Sequence, residues 1–239
     1  MKSTCSSTEK HYGFTLIEIS IVLVIIGLVV GGVLVGKELI RSAELISVVS
    51  DVNKFKIAVN LFKDKYKYLP GDMPNASVIW PNCDTLASDC NGNGDWHIDS
   101  WNPTFEDFRA WQQLADDGLI AGHYSGQYGP PSARVIIGQN VPASKIAGGG
   151  YLMFYDEGGG GPLYNRIVFA GNKSDGDFEE GLLTPHEAQM IEEKMRDDKI
   201  AGTGKIRAFE RAGCVNWPAP TTYLTTNDNK ACVLFFSLE

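Results

Sequence analysis

The sequence predicts an α+β protein in which a long N-terminal helix packs on a small antiparallel β-sheet. Three observations lead to this prediction: a long apolar run near the N-terminus, an apolar stripe at helical spacing after it, and several short β-type runs divided by glycine-rich turns. The chain has 239 residues, of which 44% are hydrophobic, so it has room for one sizeable domain and an appendage.

The apolar run extends from Phe14 to Gly36 and carries a single charge, Glu18. Its 23 residues exceed the roughly 20 that a helix needs to cross a bilayer core. A secretory signal peptide has a shorter apolar core followed by a small-x-small cleavage site, whereas this run passes directly into a charged segment. We therefore expect a membrane-spanning helix. Lys2 and Lys10 ahead of it favour a cytoplasmic N-terminus and an exported distal part.

A second helical half follows the apolar run. Its apolar residues recur at steps of three and four, which places them on one face of a helix that can dock on a domain. They are Leu45, Val49, Val52, Phe55, Val59, Phe62 and Tyr66. Charged residues fill the other faces, and Pro70 and Gly71 end the pattern.

The remaining predicted elements belong to the distal part of the chain. Residues 104–107 (TFED) and 184–187 (TPHE) have the pattern of capping boxes that open helices, and Gly118 is a stop signal for the first of these helices. Residues 72–102 show no clear periodicity. Four runs are of β type: Arg134–Ile137, Tyr151–Tyr155, Arg166–Ala170 and Ala231–Leu238.

Charge is distributed unevenly along the chain. Residues 14–67 contain seven Lys and Arg against five Asp and Glu, whereas residues 68–239 contain twelve against 23. Nucleic-acid binding relies on a basic surface, so we expect no nucleic-acid partner for the acidic distal part. An acidic surface is better suited to binding cations or simply to keeping the protein soluble.

The residues from Lys10 to Glu18, KHYGFTLIE, resemble the class III signal of type IV prepilins and type II secretion pseudopilins. That signal consists of a short basic leader, a glycine, the pattern F-T-L-I/V-E and a long apolar helix. The resemblance implies cleavage after Gly13 by a prepilin peptidase, N-methylation of Phe14, and polymerisation in which Glu18 pairs with the N-terminal amine of a neighbouring subunit. The apolar run lacks the helix-kinking proline of many type IVa pilins, a departure that pseudopilins share.

The resemblance also implies a type IV pilin-like organisation in four parts. These are a leader at 1–13, a transmembrane and assembly half-helix at 14–36, an amphipathic half-helix at 37–68 and an exported head at 69–239. The implied location is the bacterial inner membrane, with a single pass, followed by a periplasmic pseudopilus or an extracellular pilus. The implied partners are other pilin or pseudopilin subunits, the prepilin peptidase and the inner-membrane assembly platform.

Four of the five cysteines follow the apolar run and form an even set. In an exported domain we expect disulfides, and four cysteines allow three connectivities. We favour the two sequence-local pairs, Cys83–Cys90 and Cys214–Cys232. The second pair is similar to the C-terminal disulfide loop of many type IV pilins. Zinc bound by the first pair together with His97 is an alternative, although the spacing fits no common zinc motif.

The stretch at residues 89–100, DCNGNGDWHIDS, begins like a calcium-binding loop. Its glycines allow a tight coil that brings alternate oxygen-bearing side chains onto one hard cation. The predicted Ca²⁺ ligands are Asp89, Asn91, Asn93, Asp95 and Asp99. The twelfth position is a serine instead of a bidentate glutamate, so a turn without metal stays open as the alternative. A second acidic cluster has less pattern: Asp175, Asp177, Glu179 and Glu180.

No enzyme is expected, because the sequence has four histidines and no nucleophile-elbow or zincin motif. The predicted function is a structural subunit, either pilin-like or a pseudopilin. Two alternatives stay open: a minor, tip-located pilin acting as adhesin or assembly initiator, and a membrane-anchored periplasmic binding protein or enzyme that does not polymerise. Most of the five tryptophans are expected in the core.

Overall fold

The structure is a computed structural model that describes residues 13–81, 83, 90–100, 105–130, 134–156, 164–198, 201–202, 204–208, 213–216 and 222–238. Its contacts divide the chain into two compact units, Met1–Ala43 and Glu44–Glu239. The first helix, α1, is Leu16–Tyr66 and has 51 residues. A long apolar N-terminal helix and a four-stranded antiparallel sheet confirm the predicted α+β class.

Within the second unit, one face of α1 belongs to the hydrophobic core. The buried residues on this face are Leu45, Val48, Val52, Ala58, Val59 and Phe62. Val49, Phe55 and Tyr66 are half-buried against the same core. The predicted apolar stripe is therefore confirmed, and Val48 and Ala58 are added to it.

A tight turn after α1 brings the chain back onto the domain. Lys67 has a left-handed backbone (φ 65°), and Gly71 follows with φ 87°. A Cβ atom at Gly71 would lie 2.3 Å from the carbonyl oxygen of Glu106, so both the conformation and the close approach require glycine. The next element, α2, is the four-residue helix Ala76–Ile79, which lies in the stretch where the sequence shows no periodicity.

Helix α3 is Glu106–Asp116, and nine of its eleven residues are buried. Its N-cap is Phe105, which has a left-handed backbone and makes no side-chain cap. Thr104, the predicted capping residue, lies outside the described residues. Gly118, with φ 72°, follows the helix C-terminus as predicted.

The sheet has the strand order β1-β2-β4-β3, with β1 at Gly149–Tyr155, β2 at Asn165–Gly171, β3 at Ile206–Ala208 and β4 at Leu234–Ser237. All three strand pairs are antiparallel, and the centre of β1 pairs Leu152 with Val168. One face of the sheet meets α1, where the Tyr151 ring lies 5.1 Å from the ring of Phe55.

One predicted strand, Arg134–Ile137, is wrong. In this segment Ile137 forms only an isolated bridge to Val141, across the turn that they enclose. Asn140 folds the segment back, because its Oδ1 accepts the N–H of Ile136 and its Nδ2 donates to the carbonyl of Arg134. Local side-chain bonds of this kind compete with sheet pairing.

Helix α4 is Pro185–Met195 and begins with the predicted capping box. The hydroxyl of Thr184 accepts the N–H of Glu187, and the Glu187 carboxylate accepts the N–H of Thr184. The C-terminal region is held by a disulfide between Cys214 and Cys232, and a second disulfide joins Cys83 to Cys90. These are the two sequence-local pairs favoured from the sequence. The zinc alternative is wrong, because Cys83 and Cys90 are joined in a disulfide and offer no thiolate.

Candidate functional site

The N-terminal end of α1 leaves the predicted processing residues accessible. Gly13, Phe14 and Thr15 precede the helix and have no regular structure. The Phe14 side chain is 82% exposed, and no atom of the described residues would lie within 4 Å of a Cβ at Gly13. A protease that binds an extended chain can therefore reach the peptide bond after Gly13 without unwinding a helix.

Glu18 caps the start of α1. Both the N–H and the hydroxyl of Thr15 donate to Glu18 Oε2, at 2.8 and 2.7 Å. The N–H of Glu18 donates in return to Thr15 Oγ1 at 3.3 Å. This reciprocal pattern is a capping box, which satisfies donors that a helix N-terminus leaves free. A carboxylate here also lies at the positive end of the helix dipole. Among the described contacts, none uses Glu18 Oε1.

The apolar half of α1 exposes its side chains on every face. Among the described residues, α1 is long and apolar enough to cross a membrane, and none of its most apolar stretch is buried. Leu16, Leu23 and Leu28 are examples of side chains that stay mostly exposed. A helix that is hydrophobic all round is stable only when lipid or other protein covers it.

In the head, the predicted calcium loop is organised around a carboxylate that lies outside it. Asp72 is fully buried, and its Oδ1 accepts the N–H groups of Gly94 and Asp95 at 2.6 and 3.0 Å. Its Oδ2 accepts the N–H of Trp96 at 3.0 Å. Nothing in the local sequence pattern around Asp72 indicates contacts that lie more than twenty residues away.

Glu106, at the start of α3, binds the same loop from another side. Its Oε1 accepts the N–H of Asn93 at 2.9 Å, and its Oε2 accepts the N–H of Asp99 at 3.0 Å. Burial raises the pKa of Glu106 to about 7 and that of Asp72 to about 6. The backbone N–H bonds favour the charged carboxylates and oppose this shift. The backbone of this loop thus directs N–H donors towards the carboxylates of Asp72 and Glu106, whereas a calcium loop directs oxygen atoms towards the ion.

The predicted calcium ligands come together only in part. The ligand atoms of Asp95, His97 and Asp99 lie within 4.8 Å of one another. The Asn93 amide nitrogen donates to the carboxylates of Asp95 and Asp99 at 3.0 and 3.1 Å, so its N–H₂ group points at them. The Asn91 side-chain oxygen instead accepts the N–H of Ser77, and Asp89 lies outside the described residues. The carboxylates of Asp95 and Asp99 therefore suit a hard cation, whereas the side chains of Asn91 and Asn93 are not arranged for one.

Trp96, within this loop, does not join the core. Its side chain is 45% exposed and its backbone has φ 72°, which is strained for a tryptophan. Its ring stacks on that of Tyr68, with the ammonium group of Lys63 at 5.5 Å. Trp111, by contrast, is fully buried, as expected for most of the tryptophans.

The second acidic cluster is paired with a cation from its own loop. Lys173 Nζ lies 3.0 Å from the carboxylate of Asp175 and 4.0 Å from that of Asp177. These contacts give the two aspartates of the cluster an ordinary structural explanation.

A further buried carboxyl, which sequence reasoning missed, belongs to α4. Glu192 is fully buried, and the Tyr223 hydroxyl donates to its Oε1 at 2.5 Å. Its Oε2 is buried and has no hydrogen-bond partner among the residues that the structure describes. Burial raises the pKa of Glu192 to about 7, with the Tyr223 hydrogen bond acting in the opposite direction.

Comparison with known proteins identifies the N-terminal segment. A family model described as the prokaryotic N-terminal methylation motif matches residues 10–34. The match supports a type IV prepilin-like class III signal, and with it a type IV pilin-like precursor. The long apolar helix and the small antiparallel sheet fit a type IV pilin-like fold. The searches of curated proteins and of solved structures each returned no match.

Proposed function

We propose that this chain is the precursor of a non-enzymatic structural subunit, pilin-like or a pseudopilin. It is cleaved after Gly13, N-methylated at Phe14 and polymerised into a pilus or a secretion pseudopilus. The observation that carries this proposal is the methylation motif at residues 10–34. The exposed, non-helical Gly13–Phe14 segment supports it, because processing enzymes need access to this bond.

The exposed apolar half of α1 supports insertion followed by polymerisation. A buried Val, Leu or Ile side chain is stabilised by about 1.5–3 kcal/mol relative to water. The many such side chains on this helix half therefore require a cover throughout the life of the protein. The bilayer provides it before assembly, and the helices of neighbouring subunits provide it in the filament.

The geometry at Glu18 supports its proposed role in assembly. Both Thr15 hydrogen bonds use Oε2, which leaves Oε1 as an acceptor for the N-terminal amine of a neighbouring subunit. In a low-dielectric filament core such a charge pair is strong, and an unpaired charge is costly. A subunit that enters out of register would leave this carboxylate unpaired, so Glu18 would favour the correct register.

The N-terminus of the purified protein tests the processing steps. We expect the wild-type chain, co-expressed with a prepilin peptidase, to begin at N-methylated Phe14 by mass spectrometry. Gly13→Leu should retain the leader, because the added side chain meets the peptidase and no described part of the fold. Gly27→Ala, at another glycine with open space, is the matched control. An intact Met1 in the wild type, or a start elsewhere than Phe14, would contradict the proposal.

Two substitutions at Glu18 distinguish its role as a helix cap from its role as a negative charge. Glu18→Gln keeps an oxygen that can accept from Thr15 but has no charge, whereas Glu18→Ala removes both. We expect both variants to insert and to be cleaved, and both to form few filaments by electron microscopy. If Glu18→Gln assembles normally, the carboxylate serves the helix cap alone and its role in subunit pairing is wrong.

A filament assay also separates this proposal from its alternatives. A minor tip subunit would be found at filament ends in immunogold labelling, and a periplasmic binding protein or enzyme would stay in the membrane fraction. The predicted Ca²⁺ site stays a prediction, with the carboxylates of Asp95 and Asp99 as the ligands that the loop geometry favours.

A further inference from the structure

A cavity of about 450 Å³ lies in the head, on the face of the sheet that is turned away from α1. Its floor is a row of side chains across three neighbouring strands: Leu152 of β1, Val168 of β2 and Phe235 of β4, which are paired in register. Tyr151, the neighbour of Leu152 along β1, lies on the opposite face and meets Phe55 of α1. Leu152 and Phe235 are only half-buried, so the described residues leave this apolar part of the sheet partly uncovered.

Aromatic rings make up much of the lining around this floor. The walls come from three further parts of the chain: the start of α3, residues 128 and 134–135, and residues 176–179. The rings of Phe105 and Tyr128 stack with centroids 4.1 Å apart. The rings of Phe154 and Phe235 meet edge to face at 6.3 Å. Because aromatic side chains pack favourably against other rings, in offset or edge-to-face contacts, this lining suits a ring-shaped apolar group.

The size of the cavity indicates what kind of occupant it has room for. Walls surround the floor, and Tyr128 is 49% exposed, so the cavity opens to the surface beside this ring. Its volume lies within the range of small-molecule sites, about 300–1,000 Å³. A stable protein partner would need a much larger contact surface, about 800 Å² on each side. The geometry therefore favours a single small molecule as the occupant.

The ionisable groups of the lining indicate that this molecule is uncharged. The carboxylate of Asp177 lies 4.0 Å from Lys173 Nζ, and Arg134 and Glu179 each interact with another group of the protein. Burial raises the pKa of Asp107 to about 8, so this carboxyl group is mainly uncharged at neutral pH. An ion that entered the cavity would lose its hydration, and the described lining would offer it no unpaired opposite charge in return.

We propose that this cavity binds a small uncharged molecule with an apolar ring. The ring lies on the floor formed by Leu152, Val168 and Phe235 and packs against the aromatic walls, which removes its apolar surface from water. A polar substituent on the ligand faces the opening beside Tyr128, where it stays hydrated. Cations and anions of the same shape bind more weakly, because each loses hydration without gaining a partner of opposite charge.

Three soluble probes of similar shape and different charge test this proposal: 2-phenylethanol, 2-phenylethylammonium and 3-phenylpropionate. Each is titrated into the full chain in nanodiscs of zwitterionic lipid, and the methyl NMR signals of isotope-labelled leucine and valine residues are followed. The methyl groups of Leu152 and Val168 report on the cavity itself, so a probe that only enters the lipid leaves them unchanged. We expect the alcohol to shift these signals and to bind roughly tenfold more tightly than either ion. Unchanged signals at millimolar alcohol, or an ion that binds as tightly as the alcohol, would overturn the proposal.

Variants then locate the binding site, with the methyl signals of Val168 as the readout. Leu152→Phe should weaken binding of the alcohol, because the larger side chain fills part of the cavity. Tyr128→Ala should also weaken it by removing one wall, and it provides a test even if Leu152→Phe fails to fold, since Tyr128 lies at the surface. Leu224→Phe is the matched control, because it makes the same change at an exposed leucine that does not line the cavity. Binding that is unchanged in Tyr128→Ala, or that Leu224→Phe weakens as much as Leu152→Phe does, would refute the assignment.

Discussion

The buried carboxyl of Glu192 makes the stability of the head depend on pH in a predictable direction. Its pKa is raised from 4.5 to about 7, chiefly by burial. The folded state therefore holds a proton that the unfolded state releases, and stability rises as pH falls through 7 towards 4.5. Between pH 8 and pH 5 this group should add about 2.5 kcal/mol to the free energy of unfolding, at about 1.36 kcal/mol per pKa unit. Glu192→Gln, which mimics the protonated form, should lose this dependence.

The assay is a series of urea unfolding curves from pH 5 to pH 8, followed by tryptophan fluorescence on the full chain in nanodiscs. Other buried acids titrate in the same range, so the quantity that matters is the difference between wild type and Glu192→Gln at each pH. Glu193→Gln, an exposed neighbour on α4, is the control and should follow the wild type. A wild type that gains stability relative to Glu192→Gln as pH rises would refute the reasoning. The hydrogen bond from Tyr223 would then outweigh burial and hold the carboxylate ionised.

Three further predictions concern the head. Millimolar Ca²⁺ should raise the melting temperature of the wild type and not of Asp99→Asn; an unchanged wild type would contradict the calcium prediction. Replacing Cys214 and Cys232 by serine should cost about 2–4 kcal/mol, because their bridge closes a loop with a sequence separation of 18 residues; reductant should lower the melting temperature of the wild type further than that of this variant. Phe62→Ala should cost about 3–5 kcal/mol through the cavity it leaves, whereas Leu61→Ala on the exposed side should cost far less.

The sequence predicts the features that depend on local pattern and misses those that depend on distant contacts. The helical stripe and the capping box at Thr184 follow from residue spacing, and the structure has both. The three-residue strand β3, Ile206–Ala208, is too short for alternation to be visible. The segment Arg134–Ile137 has the composition of a strand, yet Asn140 closes it into a loop. The capping box formed by Thr15 and Glu18 has the same kind of local T-x-x-E pattern, at the start of the apolar helix.

The acidic side chains of this protein differ in how many of their carboxylate oxygens already accept hydrogen bonds. This difference distinguishes acids that hold the fold together from acids that can still accept a bond from another molecule. Both oxygens of Asp72 and both of Glu106 accept backbone N–H groups, so these side chains hold the loop and have little capacity for a partner. Glu18 directs both described Thr15 hydrogen bonds to Oε2, and no described hydrogen bond uses its Oε1. A carboxylate in a low-dielectric setting is stable when its acceptors are satisfied. Asp72 and Glu106 are thus satisfied within the head, whereas the proposed partner for the second oxygen of Glu18 is the amine of a neighbouring subunit.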